Sequence, residues 1–374
     1  MYLTVLTVLA ALWLAYGNGA NDNFKGVATL YGSDTTTFRG ALWWATGTTF
    51  AGSIVSVLFA QKLVKTFSGK GLVPDALASS PAFAISVGLG AALTIFLATY
   101  VGMPTSTTHA LIGGLLGTGI AASAPISMGV LMTKFAVPML TSPVLAIVIA
   151  GVLYTGFRLI RERSGITKKT CLCVADGSLQ PVQVDANGAM MLTQSGLAVT
   201  VDETSQCVER YQGKLVGIEA QVPLDAMHYL SAGAVCFSRA VNDTPKVAAL
   251  LLTTAALTPA VGIGLVGGAI ALGGLVQSRQ VAETMSKRIT DLSPGQGFTA
   301  NITTAFLVLI ASNMGVPVST THVSCGSIFG IGTATRSGKW ETISKILSTW
   351  LTTLPFAAIV SGLLYLLSEN PLHR

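Results

Sequence analysis

Charge is scarce in this 374-residue chain: Asp, Glu, Lys and Arg make up 10% of it and aromatics 7%, against 51% hydrophobic types and a mean hydropathy of +0.64. Ordinary soluble domains carry about 25% charged residues, so a water-soluble globule is excluded. The 40 glycines follow no Gly-X-Y period, which excludes collagen, and the hydropathy excludes disorder. Cysteine is sparse and unpaired in pattern. Among Cys171, Cys173, Cys207, Cys236 and Cys325 there is no Cys-x-x-Cys, and Cys171-x-Cys173 with Cys207 is wrongly spaced for an ordinary zinc site. Walker loops and dinucleotide fingerprints are missing too, so no cofactor is expected and ATP is not this chain's own energy source. The first apolar run lacks a basic n-region and reads as a membrane segment rather than a cleaved leader. The net charge of +6 does not point to nucleic acid, because the basic residues sit at the ends of apolar segments rather than in one stripe, where they act as topology signals.

What is present is a series of apolar segments near 2–17, 40–60, 82–101, 110–124, 135–157, 228–237, 247–276, 302–316, 323–335 and 346–367. Crossing about 30 Å of hydrocarbon takes about 20 residues. Several segments are shorter or Gly-broken, and Pro259 interrupts the longest, so discontinuous or re-entrant helices are expected and eight to twelve spans are read. Fourteen of the 38 charged residues fall between Arg161 and Asp225. This polar stretch is read as a soluble insert over 161–227, between a first transmembrane repeat (1–160) and a second (228–374). Cys173–Gly177 and Gly196–Val201 have the β-branched, turn-punctuated look of short strands. Arg158, Arg161, Arg163, Lys168 and Lys169 at its entry favour a cytoplasmic location, although Lys62, Lys65 and Lys70 form a competing cluster. The fold class expected is an all-α polytopic membrane protein with two inverted-topology repeats and a small β-containing insert.

The repeat carries the chemistry. Asn21-Asp22-x-x-Lys25 returns as Asn242-Asp243-x-x-Lys246, 221 residues on, and Gly102-x-Pro-x-Ser106-Thr107-Thr108-His109 returns as Gly315-x-Pro-x-Ser319-Thr320-Thr321-His322, 213 residues on. Gly113, Gly117 and Gly119 map onto Gly326, Gly330 and Gly332. Five apolar segments in each half would turn the two copies upside down relative to one another. An intramembrane aspartate is costly and needs a partner. Asp22 and Asp243 have two candidates: the lysines at i,i+3, or a small hard cation held by Asn21, Asp22, Asn242 and Asp243, with Lys25 and Lys246 in support. In the second motif Gly and Pro end one helix, and the Ser/Thr run caps the next. Hydroxyls and free N–H groups there suit an oxyanion, held by Ser106, Thr107, Thr108, Ser319, Thr320 and Thr321. Capping alone is the plainer alternative. A catalytic Ser-His pair is disfavoured, since neither motif has a carboxylate to orient the histidine, and no enzyme is expected.

At these motifs the sequence resembles the inorganic phosphate transporter family, the PiT-type sodium or proton symporters. The resemblance rests on Gly19-Ala20-Asn21-Asp22, Val241-Asn242-Asp243, Pro104–His109, Pro317–His322 and Ser293–Phe298, and spans both hydrophobic halves. It departs from the family at Asn23-Phe24-Lys25-Gly26, where small residues and an Asn are usual, and at Asn301, where an acidic residue is common. It implies a multi-pass protein of the cytoplasmic membrane that imports phosphate with sodium by alternating access, and a homodimer. Proton coupling or sulfate as substrate is the alternative within the family, and a passive anion channel the alternative outside it.

Overall fold

A computed structural model describes residues 2–165, 170–175, 183–184, 190–191, 198–203, 216–219, 221–253 and 257–369. Two compact units are present, one formed by Met1–Tyr154 with His228–Arg374 and the other by Thr155–Met227.

In the second unit, β1 (Thr170–Ala175), β4 (Ala198–Glu203) and β5 (Val216–Glu219) form an antiparallel sheet of order β4-β1-β5, with Cys173 opposite Thr200 and Gly217. Two short strands, β2 (Gln183–Val184) and β3 (Met190–Met191), pair separately. Cys207, Asp176-Gly177 and Gly196-Leu197 lie outside the described residues.

The first unit is helical, and its elements correspond between the two halves. In chain order the first half has α1 (Tyr2–Asp22), α2 (Ala28–Gly32), α3 (Phe38–Phe67), α4 (Asp75–Ala78), α5 (Pro81–Tyr100), α6 (Thr107–Ala121), α7 (Met128–Val130) and α8 (Val137–Ser164). The second has α9 (Gln221–Ala248), α10 (Pro259–Gln277), α11 (Arg279–Glu283), α12 (Pro294–Met314), α13 (Thr320–Thr335) and α14 (Trp340–Glu369). By position, α1, α3, α5, α6 and α8 match α9, α10, α12, α13 and α14. In this unit large apolar side chains face outward while polar and charged ones are buried beside the apolar core: Leu351 is 79% exposed and Leu58 77%, whereas Asn242 and Lys246 are 0% exposed. Lipid, not water, is the solvent for such a surface.

Seven helices among the described residues are long and apolar enough to cross a membrane, fewer than the eight to twelve spans expected. The shortfall has two causes. With 15 and 16 residues, α6 and α13 reach only about 22–24 Å at 1.5 Å per residue. The apolar stretch 228–237 is merely the middle of the 28-residue α9, whose remaining turns carry Asp225, Arg239, Asp243 and Lys246. Likewise the stretch 247–276 is not one helix: a 3-10 turn over Ala249–Thr253 precedes α10, which starts with Pro259 behind the capping hydroxyl of Thr258.

Local chemistry sets the breaks. The helix α12 opens with a capping box between Ser293 and Gln296 and closes at Gly315, whose φ of 72° is left-handed. At the matching place after α5, Gly102 has φ 71°. Beyond each glycine, Pro104 or Pro317 lies in a non-helical segment, and Ser106 or Ser319 then caps α6 or α13 by accepting the N–H of His109 (3.1 Å) or His322 (3.2 Å). The repeated glycines explain how these short helices pack. A Cβ on Gly113 or Gly117 would strike the carbonyls of Leu354 or Ala358 in α14, and one on Gly326 or Gly330 those of Pro143 or Ile147 in α8. Each short helix thus lies backbone-to-backbone on the last helix of the opposite half, the contact that small residues permit between membrane helices.

Gly117→Val and Gly330→Val should each lower the melting temperature of the detergent-solubilised protein, in line with an overpacking cost of about 1–3 kcal/mol. Gly264→Ala should not, because nothing lies within 4 Å of a Cβ placed there.

Candidate functional site

The two Asn-Asp motifs end up beside the two Ser-Thr-Thr-His motifs, and all four are buried. At the end of α1 the chain passes into a 3-10 turn, Asn23–Gly26, which brings Lys25 back over Asn21 and Asp22. Gly26 is required there, since a Cβ would collide with Cys236 of α9. In the second half α9 stays helical through Lys246, although Pro245 inside it has no N–H to give to the carbonyl one turn back.

The lysines hold the site together. Lys25 pairs with Asp22 and donates to Asn21 Oδ1 (2.8 Å), the Thr105 carbonyl (2.8 Å) and Thr321 Oγ1 (2.8 Å). Lys246 pairs with Asp243 Oδ1 (2.9 Å) and donates to the Val318 carbonyl (2.8 Å) and Thr108 Oγ1 (2.9 Å). Thr105 corresponds to Val318 and Thr321 to Thr108, so each lysine bonds its own half's unwound segment and the other half's threonine. The threonines complete the exchange: Thr321 donates to the Thr105 carbonyl (2.7 Å) and Thr108 to that of Val318 (3.1 Å).

The rest of the network obeys the same correspondence. Thr107 donates to Asp22 Oδ2 (3.2 Å) and Thr320 to Asp243 Oδ2 (3.0 Å). Asn21 donates to Thr99 Oγ1 (2.9 Å), while Asn242 accepts from the matching Ser312 (3.2 Å). The imidazoles of His109 and His322 lie 4.4 Å apart between centroids, where the halves meet, and His322 stacks on Trp350 at 3.8 Å. All the residues singled out from the motifs therefore converge. The i,i+3 lysine pairing of both aspartates is formed, and Ser106 and Ser319 act as caps.

Sequence reading missed Arg239. Its guanidinium donates to the Asp22 carbonyl and sits 3.5 Å from Asp22 Oδ2 and 4.0 Å from Asp243 Oδ2, while its Nε is buried without a hydrogen-bond partner among the described residues. Its positional counterpart is Asn18, which donates to Asp22 Oδ2 (3.0 Å) and to Thr107 (2.8 Å). An arginine one turn before an intramembrane aspartate was the available signal, and the lack of a matching arginine in the first half hid it. Asn301 is elsewhere, bonded to Thr29 (3.1 Å) and Ser231 (3.3 Å). By formal charge the cluster holds three cations, Lys25, Lys246 and Arg239, and two carboxylates. That is one basic group more than the carboxylates can pair.

The model of the phosphate transporter family matches residues 18–361. The chain is 28% identical to a protein of Rhizobium meliloti named "Probable low-affinity inorganic phosphate transporter", covering 98% of this chain and 97% of that one. It is 26% identical to the chloroplastic inorganic phosphate transporter 2-1 of Arabidopsis thaliana, covering 96% and 71%. A solved structure titled "The sodium-dependent phosphate transporter" shares the fold, with a TM-score of 0.76 over 99% of both chains at 23% identity. The charged, two-half cluster is thus set in a sequence family of transporters rather than enzymes, and this multi-pass membrane chain belongs to the phosphate transporter family.

Proposed function

We propose that the protein is a secondary active carrier that imports inorganic phosphate across the cytoplasmic membrane by alternating access, with one anion site between two inverted repeats. The observation that carries this reading is the reciprocal network: two copies of one motif meet through each other's lysines and leave a buried surplus of positive charge. A tetrahedral oxyanion supplies the missing charge and accepts from hydroxyls and helix-end N–H groups. In this reading the oxyanion is held at the starts of α6 and α13, where the hydroxyls of Thr107, Thr108, Thr320 and Thr321 turn toward it from the carboxylate and carbonyl oxygens to which they donate in this structure, with Arg239 as a further donor; Ser106 and Ser319 shape those helix ends. Asn21, Asp22, Asn242 and Asp243 line the adjoining cation positions, where the ammoniums of Lys25 and Lys246 sit. The dimer implied by family resemblance belongs to the same reading. A passive channel gains no support from occluded, fully paired carboxylates.

Uptake of labelled phosphate into proteoliposomes tests the function, with sulfate as competitor. Accumulation against a gradient, inhibited weakly by sulfate, is expected; downhill flux alone would favour the channel. Arg239→Met should lower phosphate affinity by about tenfold or more in a protein that still inserts, matching the 1.5–3 kcal/mol of a hydrogen bond to a charged group. Thr108→Val and Thr321→Val should each weaken binding by about the same factor, and their double variant should depart from additivity because both act on one anion. Calorimetry on the single and double variants checks this; independent effects would mean two separate sites.

A further inference from the structure

The solved structure that shares this fold is titled sodium-dependent, and Asn-Asp motifs beside unwound backbone are the natural sodium donors of such a carrier. The donor set of this chain can be tested against that ion. Around Lys25 Nζ stand an amide oxygen (Asn21), a carboxylate (Asp22), a backbone carbonyl from an unwound segment (Thr105) and a hydroxyl (Thr321). Around Lys246 Nζ stand a carboxylate (Asp243), the corresponding carbonyl (Val318) and the corresponding hydroxyl (Thr108). These are the oxygens a bound alkali cation would take, and an ammonium holds them in both halves.

The other carboxylate oxygens are engaged as well. Asp22 Oδ2 receives Asn18 and Thr107 with the Arg239 guanidinium 3.5 Å away, and Asp243 Oδ2 receives Thr320 with the same guanidinium 4.0 Å away. Sodium is a cation that cannot donate a hydrogen bond, so to bind here it would have to displace an ammonium that is bonded to three or four oxygens and has nowhere hydrated to go: both lysines are at most 2% exposed. Adding sodium beside the ammonium instead would increase a positive surplus that is already unbalanced.

We propose that Lys25 and Lys246 are tethered cations that stand in for co-transported sodium at the two Asn-Asp motifs, so that this carrier binds and exchanges phosphate without sodium. The inference rests on the reading of the protein as a phosphate carrier and concerns which ion that carrier needs. A bound coupling ion neutralises a carboxylate only while it is present; a lysine on the same chain does so in every cycle. The two carboxylates then impose no sodium requirement on anion binding, and accumulation draws on another gradient, for which the proton is the candidate.

Two measurements on the purified, full-length protein separate this inference from the functional reading. The first is the melting temperature in sodium chloride against choline chloride, without phosphate. No sodium-specific stabilisation is expected, because a ligand stabilises only the state that binds it; a sodium-dependent rise that saturates would overturn the proposal whether or not phosphate is carried. The second is exchange of labelled for unlabelled phosphate in proteoliposomes, which needs an occupied site but no driving gradient. Rates in sodium and choline media are expected to agree within about twofold, far from the tenfold that 1.4 kcal/mol of coupling would produce. A tenfold loss in choline would overturn the inference while leaving the carrier standing, whereas no exchange in either medium would remove the carrier reading. The variant Lys25→Ala/Lys246→Ala, if monodisperse, should acquire sodium-specific stabilisation as the oxygens are freed. Its absence would count against the lysines as stand-ins. Should the double variant not fold, Lys246→Gln alone carries the same test.

Discussion

The exchange of lysines between halves is the interaction on which the rest depends. A buried ammonium is tolerated only when it is paired and its protons are satisfied. Lys246 finds Asp243 and the Val318 carbonyl in its own half and takes its third acceptor, Thr108, from the other. Lys25 has Asn21, Asp22 and the Thr105 carbonyl in its own half and reaches Thr321 across the boundary as well. Separating the halves would leave Lys246 one acceptor short in a low-dielectric interior. The left-handed glycines, the serine caps and the glycine contacts can all be read as means of putting those hydroxyls within 3 Å of those ammoniums.

Much of this was legible in the sequence because it was written twice. One copy of Asn-Asp-x-x-Lys or Pro-x-Ser-Thr-Thr-His would be a weak motif; two copies in one order predicted that the parts belong together, and they do meet. The Gly-x-Pro-x-Ser string even encoded its geometry, since a left-handed glycine, a residue without N–H and a capping hydroxyl allow few alternatives. Repetition also set the limit of what could be read. Arg239 has Asn18 as its counterpart, so a search for duplicated chemistry passed over the one residue that gives the site its surplus charge. Hydropathy failed where function intrudes: α9 looked ten residues long because its remaining turns carry the charges the site uses. Fewer candidate spans stand among the described residues than expected for a related reason, as α6 and α13 are apolar but only 15 and 16 residues long.

The choice between a bound cation and a neighbouring lysine for each aspartate could not be made from spacing. An i,i+3 pair on a regular helix is a surface contact of small value. Here the first pair is folded over by a 3-10 turn and the second sits beside Pro245, and in both the ammonium is carried inward to meet atoms more than 70 residues away. Tertiary structure converts a local pairing into the centre of the molecule.

The glycine seams bear on how the halves join. Where two backbones touch without side chains between them, the pairing is set by the glycines of one helix alone: α6 lies on α14 along Gly113 and Gly117, and α13 on α8 along Gly326 and Gly330. Each close pair takes one helix from either half. The helices that fit most tightly are therefore not neighbours within the duplicated stretches: each pair is a hybrid, and the duplicated order of the chain is a poor guide to which helices share a seam.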